Sequence, residues 1–351
     1  MNTGRIRLFQ SSVQLSKFRI VFMVCIVQLL LNACSQDDTA FGKNRTYVIK
    51  FPHVTAPATP KGQGAEKLSR LVDERLGGRV RLEVYPSSQL MNADDSIEAL
   101  AFGEVQMIAM SLSKFDRLTP EFQVFDLPFL FKDLEEVEAF QESETGQKLL
   151  VTIEHKGFLG LGFWHNGMKQ FGGPVPMNNP SDASGLNFRI MESDVLQAQI
   201  LAMGAVPQKM AFGEVYQALQ SGAIDAQENT WSNIWSQKFF EVQPYITESN
   251  HGYLGYLLAV NTEFWRSLPD DIRTELNAIV AEVTAEVNQQ ANAINQEHKA
   301  MILATGKSEL IELSEEDISN WRAVMQPVWD EFSDDIGDEI MNATAFGKDV
   351  E

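Results

Sequence analysis

Along this chain the hydrophobic positions switch between a period of two and a period near 3.6, which predicts alternating strands and helices, an α/β pattern. Thr46 to Phe51 reads as a first strand, and the loop through Pro52-His53-Val54 leads to a helix near Pro60 to Leu76 that Gly77-Gly78 stops. In the next strand, Val80 to Tyr85, Val80, Leu82 and Val84 alternate against Arg81 and Glu83. From Asp270 to Thr305 there is neither glycine nor proline, and Leu276, Ile279, Val280, Val283, Val287, Ala291 and Ile294 form an apolar stripe. A helix of that length extends about 50 Å, more than one small lobe is wide, so it should bridge two. The stripe lacks the sustained heptads of a coiled coil. Glu98 to Gln106 and Gln217 to Asp225 echo one another: each reads as a helix, a stopping glycine (Gly103, Gly222) and a buried strand. Two similar units, or a generic helix-to-strand connection used twice, both account for this.

The N-terminus predicts export. Arg5, Arg7, Lys17 and Arg19 precede the apolar run Ile20 to Leu31 and then Leu31-Asn32-Ala33-Cys34, a secretory signal over residues 1–34 ending in a lipobox-like site. The run is shorter than the roughly 20 residues a spanning helix needs. Lipidation of Cys34 anchors the mature protein; Asn32 departs from the usual small residue, and an uncleaved anchor or a cut nearby are the other readings. All three export the globular part. A polar, flexible spacer, residues 35–45, follows.

Composition narrows the partners. The chain carries 48 acidic and 28 basic residues, net −20. Loss of the four basic signal residues, with no acid lost, takes this to about −24, which argues against nucleic acid and anionic lipid surfaces. The only cysteines are Cys25 and Cys34, so the mature domain has no internal disulfide and must rely on a core. The five histidines have no metal-binding spacing, no nucleophile elbow or phosphate-cradling loop occurs, and neither a cofactor nor an enzymatic role is expected.

Against this acidic background, two cations and an amide sit in apolar, aromatic frames. Lys169 closes Phe163-Trp164-His165-Asn166-Gly167-Met168-Lys169, Arg189 lies in Phe188-Arg189-Ile190, and Asn229 ends Asp225-Ala226-Gln227-Glu228-Asn229. A guanidinium in a buried strand must find an anion or acceptors. Its planar fork matches a carboxylate. On the residues alone, an organic-acid ligand and an internal pair with Glu192 or Glu228 are equally open.

In these stretches, together with His53-Val54-Thr55, Thr59-Pro60-Lys61-Gly62, Tyr85-Pro86-Ser87-Ser88-Gln89-Leu90, Asp126-Leu127-Pro128-Phe129-Leu130-Phe131 and Gln208-Lys209-Met210-Ala211-Phe212-Gly213-Glu214, the chain resembles the solute-binding proteins of TRAP (tripartite ATP-independent periplasmic) transporters. The likeness is to their C4-dicarboxylate-binding, DctP-like group and runs from about residue 46 to 345. It implies a two-lobed periplasmic-binding-protein-like fold, type II-like, with a hinge and a long helix spanning both lobes. Residues 46–166 and about 255–294 would form lobe I, and 167–254 and about 295–345 lobe II. It further implies capture of succinate, fumarate or malate in the cleft and delivery to the small and large TRAP membrane subunits; a monomer is the expectation for a mobile two-lobed capture protein.

By the same resemblance, Arg189 binds one carboxylate and Lys169 the far one, Asn229 donates its amide, and Phe212 covers the bound acid. Trp231 walls the pocket or belongs to the core; His53 and Ser111, after strand-like runs, contact the ligand or hold local structure. A monocarboxylate or keto-acid ligand, and a sensory protein on the same fold, are the alternatives.

Overall fold

The computed structural model describes residues 46–344. The expected signal segment with Cys34 and the spacer at 35–45 lie outside the described residues. In chain order the elements are β1 (Tyr47–Pro52), α1 (Pro60–Leu76), β2 (Val80–Tyr85), α2 (Ala93–Ala101), β3 (Met107–Ser111), α3 (Leu134–Glu142), α4 (Glu144–Thr152) and β4 (Phe158–Gly173). Then come β5 (Asn187–Ile190), α5 (Asp194–Ala202), β6 (Val206–Lys209), α6 (Val215–Ser221), β7 (Ala226–Asn229), α7 (Trp231–Ser236) and β8 (Tyr245–Asn261). The chain closes with α8 (Thr262–Ser267), α9 (Asp270–Thr305), β9 (Glu309–Glu312), α10 (Glu315–Ile336) and α11 (Asp338–Ala343).

Local chemistry sets the ends of these elements. The Thr59 side chain caps α1 by accepting from the Gly62 amide at 3.2 Å, with Pro60 in the first turn, where its missing N–H costs nothing. α9 starts after Pro269 with Asp270 and Asp271 in its first turn and stops at Gly306, whose φ of 64° closes the last turn.

β1 and β2 pair with each other; the other strands form one seven-stranded sheet, β3-β8-β4-β7-β5-β6, with β9 on β8. β4 and β8 pair antiparallel from Phe158↔Asn261 to Gly173↔Tyr245. One edge of β8 takes β9 along Tyr245–Glu248 and β3 along Tyr256–Val260, while β7 joins β4 only at Gln170–Gly172. The sheet therefore has two halves, and β4 and β8 run through both. A register shift puts Asn166 out of the ladder between His165↔Gly255 and Gly167↔Leu254.

α9 lies along this crossing. Thr284 Oγ1 accepts from Trp164 Nε1 at 2.8 Å, and Asn288 grips the β4 backbone by donating to Phe163 O at 3.0 Å and accepting from the His165 amide at 2.8 Å. Asn295 donates to Asn166 O and accepts from the Ser232 amide at 3.0 Å, tying the bulge to the first turn of α7. The expected apolar stripe ends at Ala291: Ile294 is half-buried, and the covered face passes to Asn295, His298 and Ile302. A polar face is needed there because bulged backbone groups have no ladder partner.

The two echoed segments fold alike. In α2–β3, Gly103 has φ 73°, its amide donates to Leu100 O, and the Glu104 and Val105 amides both donate to Ala99 O; in α6–β7, Gly222 has φ 73°, its amide donates to Leu219 O, and the Ala223 and Ile224 amides both donate to Ala218 O. The strands start later than expected, at Met107 and Ala226, because these turns consume the intervening residues. They end at Ser111 and Asn229.

The segment after β3 stitches the halves together. Buried Asp126 accepts from Ser113 Oγ and Ser193 Oγ, each at 2.7 Å, and Ser193 caps α5. Phe129 adopts φ 58°, unusual for a bulky residue, and its amide donates to His251 O at 2.6 Å. Trp329 Nε1 of α10 donates to Pro128 O at 2.8 Å.

Candidate functional site

Where the strand ends of the two halves meet, they enclose a cavity of about 70 Å³. Thr55, Lys61, Ser111 and Lys114 line it from one half, and Lys169, Arg189, Phe212, Asn229 and Asn233 from the other, with Tyr256 of β8. This is the placement expected of open α/β sheets, whose ligands sit beyond the carboxyl ends of strands.

β5 lies between β6 and β7 and pairs parallel with both, so Arg189 is delivered from the middle of a sheet and is 3 % exposed. Its Nε and Nη2 donate to Met210 O at 3.1 and 2.8 Å. Nη1 has no hydrogen-bond partner among the described residues, and none of their carboxylates lies within the 4.0 Å of an ion pair. Burial lowers its pKa to about 10, opposed by Glu228, so it is charged at neutral pH. Both carboxylates considered as internal partners are engaged elsewhere: Glu192 faces Arg117 and Lys114, and Glu228 faces Lys169.

Lys169 lines the cavity, but its Nζ donates to Glu228 Oε1 at 2.9 Å with both side chains buried. The other oxygen, Oε2, lies 2.8 Å from His251 Nε2, and Ser249 Oγ lies 2.7 Å from His251 Nδ1. Burial holds His251 down at about 4 against the pull of Glu228, so it is neutral near pH 7, with Nε2–H donating to the carboxylate and the serine hydroxyl to Nδ1. Burial would raise the Glu228 carboxyl, yet Lys169 first and His251 second outweigh it and hold it at about 2. Glu228 and Lys169 thus cancel, and Arg189 remains as a positive charge facing the cavity of an acidic protein.

Asn229 ends β7 with Oδ1 accepting from Asn233 Nδ2 at 2.7 Å and from the Thr230 amide at 3.2 Å. That fixes its orientation and leaves Nδ2 to donate elsewhere. Ser111 ends β3 on the opposite wall, and Phe212 contributes a half-buried ring packed edge-on to Phe239 at 6.1 Å.

Two residues singled out from the sequence do not line this cavity. His53 sits behind it, buried, with Nδ1 3.3 Å from Thr55 Oγ1; burial, then the nearby Lys61 ammonium, lower it to about 3. Trp231 opens α7 in the apolar core with Ile234 and Phe239 and borders a separate polar hollow beside Glu248 and Asn295. In its place the cavity wall carries Asn233, two residues further along the same helix.

Sequence reasoning missed Lys61, Lys114, Asn233 and Tyr256. For Lys61 a signal existed: a lysine in the first turn of a capped helix is opposed by the helix dipole and calls for a reason. Among the described residues, no group of three or more His, Cys, Asp or Glu is arranged to hold a metal, and no helix is long and apolar enough to cross a membrane.

Residues 51–335 match the family model described as bacterial extracellular solute-binding protein, family 7. The chain belongs to this family. It is a family of solute-binding transport proteins, not of enzymes, and its fold is the two-lobed one of periplasmic binding proteins. The chain is 49 % identical over 295 residues to the C4-dicarboxylate-binding periplasmic protein DctP of Shewanella loihica, covering 84 % of this chain and 88 % of that one. A TRAP periplasmic solute-binding protein from Shewanella oneidensis, solved with bound succinate, superposes with a TM-score of 0.84 at 49 % identity, over 85 % of this chain and 98 % of that one. Another from Pseudomonas aeruginosa, with bound L-malate, gives 0.80 at 48 % identity, over 81 % and 99 %.

Proposed function

We propose that this family member captures C4-dicarboxylates such as succinate, fumarate or malate in the cavity between its lobes and delivers them to the membrane subunits of a TRAP transporter. The observation that carries the reading is Arg189: a buried, charged guanidinium held by one carbonyl, facing a cavity, with no carboxylate among the described residues to neutralise it. Bound succinate and L-malate in relatives of 49 % and 48 % identity supply the ligand class. Arg189 takes one carboxylate through its fork and Asn229 donates Nδ2, while Phe212 and Ser111 close over the ligand from opposite walls. The ammonium of Lys169 stays paired with Glu228.

Residues 46–166 with about 255–294, and 167–254 with about 295–345, move as lobes about the bulge at Asn166. Closure expels water, and each charge-assisted bond gains strength as the local dielectric falls. A cleavable signal with Cys34 as a lipid anchor places the protein in the periplasm as a membrane-tethered monomer. The test is a thermal-shift screen of small mono- and dicarboxylates, since a ligand bound only by the folded state raises the melting point. Succinate, fumarate or malate should raise it; Arg189→Ala should melt at the unliganded temperature and lose the rise. A screen in which no C4-dicarboxylate shifts the unaltered protein would overturn the proposal.

A further inference from the structure

A second cation faces the cavity without a carboxylate partner among the described residues, and it comes from the opposite half to Arg189. Lys61 stands in the first turn of α1, where the aligned peptide dipoles oppose a positive charge. Its side chain is fully buried, and its Nζ donates to Ala109 O at 3.1 Å and lies 3.7 Å from the centroid of the Tyr256 ring. No carboxylate of the described residues comes within the 4.0 Å that defines an ion pair with it. One carbonyl and one aromatic face do not replace the hydration of an ammonium, which has three donors. Burial accordingly lowers its pKa to about 7. The fold thus keeps an isolated amine against a cavity wall at the least favourable end of a helix, while the other two lysines of the cavity, Lys114 on the same side and Lys169 on the opposite one, already pair with Asp94 and Glu228.

We infer that Lys61 is the specificity-determining group for the far carboxylate of the ligand: Arg189 takes one end from β5 and Lys61 the other from α1, so a diacid neutralises both cations and joins the two lobes. This rests on the dicarboxylate reading above. Preference for a diacid over a monoacid then resides in Lys61, and binding carries a proton with it, because an amine partly neutral when free is fully ammonium beside a carboxylate. The titratable and charged groups around it are His53 behind the wall, Tyr256 against which it stacks, and Asp94, Lys114, Lys169, Arg189 and Glu228 along the cavity. His53 and Glu228 are held at about 3 and 2, far below pH 8, and Arg189 at about 10, above it.

The experiment compares succinate with succinamate, its half-amide of the same shape with a neutral far end, on the unaltered protein and on Lys61→Met, by calorimetry. The unaltered protein should prefer succinate by about 10- to 100-fold, the loss expected for one charge-assisted hydrogen bond. In the variant that preference should collapse to less than about threefold, mainly through weaker succinate binding. Titrations at pH 8 in buffers of different ionisation enthalpy should also show uptake of up to about one proton per succinate bound by the unaltered protein. This readout does not depend on the variant's folding. A Lys61→Met protein that keeps the preference, or that weakens both ligands equally, overturns the inference, as does succinate binding without proton uptake. If the unaltered protein binds no C4-dicarboxylate, the reading of the site itself fails; if it binds succinate but does not discriminate against succinamate, only the role of Lys61 fails.

Discussion

At the scale of single residues, the chemistry turns on which buried charges cancel. Glu228 serves Lys169 and His251 together, so removing its charge isolates a buried ammonium, a loss that costs about 3–5 kcal/mol in comparable pairs. Glu228→Gln should therefore lower stability to urea by an amount of that order while enlarging the thermal shift given by succinate, because Lys169 becomes free to meet the ligand. A variant as stable as the parent, with an unchanged shift, would show that the pair does not govern the site. Arg189 stood out in the sequence because it lies between Phe188 and Ile190 in a buried strand, whereas Asn229, at the end of the polar strand Ala226-Gln227-Glu228-Asn229, was singled out through the family resemblance. Lys61 was not, since which face of a first helical turn points inward depends on the packing of Gly62 and Gly64, whose positions admit no side chain beyond hydrogen: a Cβ would meet Ala56 O at 2.3 Å and Val287 Cγ2 at 2.4 Å. Trp231 and His53 belong to the same class of uncertainty, because a large apolar or ring residue near a strand end satisfies core and cavity equally well.

Among the elements, α9 was readable to its ends from the absence of glycine and proline, yet its working face was hidden. Thr284, Asn288 and Asn295 interrupt the apolar periodicity to meet β4, so they look like errors in a stripe until the bulge they serve is known. Asn295→Ala should leave Asn166 O without that donor and the Ser232 amide without its acceptor, costing about 1–3 kcal/mol, the usual penalty for stranded buried polar groups. Denaturant unfolding with unchanged far-ultraviolet circular dichroism in the native state checks this, and a cost near zero would remove Asn295 from the hinge. β4 itself resisted reading for the opposite reason. Gly160, Gly162, Gly167, Gly172 and Gly173 interrupt it in sequence, but here they mark register shifts and close approaches in one continuous strand of 16 residues. At Gly167, for instance, a Cβ would fall 2.9 Å from Asn295 Nδ2.

For the whole molecule, the α/β class, the family and the two-lobed fold were legible from ordered motifs spread along the chain, and the composition excluded partners more than it named them. Acid sensitivity is a property of the assembled fold. Burial lowers His53 to about 3 and His165 and His251 to about 4, so between pH 6.5 and 4 the unfolded chain binds protons that the folded one refuses, and stability falls as pH falls. Asp116, raised to about 6 by burial, and Asp126, also raised by burial, act in the opposite sense over part of that window. The three histidines, joined towards pH 4 by Glu228 held at about 2, outweigh the aspartates, so chemical unfolding should show stability declining as pH falls from 6.5 to 4. A flat or rising profile on acidification would mean that these imidazoles are not held neutral. The twin helix–glycine–strand units close on Ser111 and Asn229 from opposite walls of the cavity. Succinate is superposable on itself end for end, and can therefore occupy such a chamber in two indistinguishable ways, whereas a hydroxylated diacid has one preferred heading. That degeneracy favours the unsubstituted acid by RT ln 2, about 0.4 kcal/mol, before any hydroxyl is recognised.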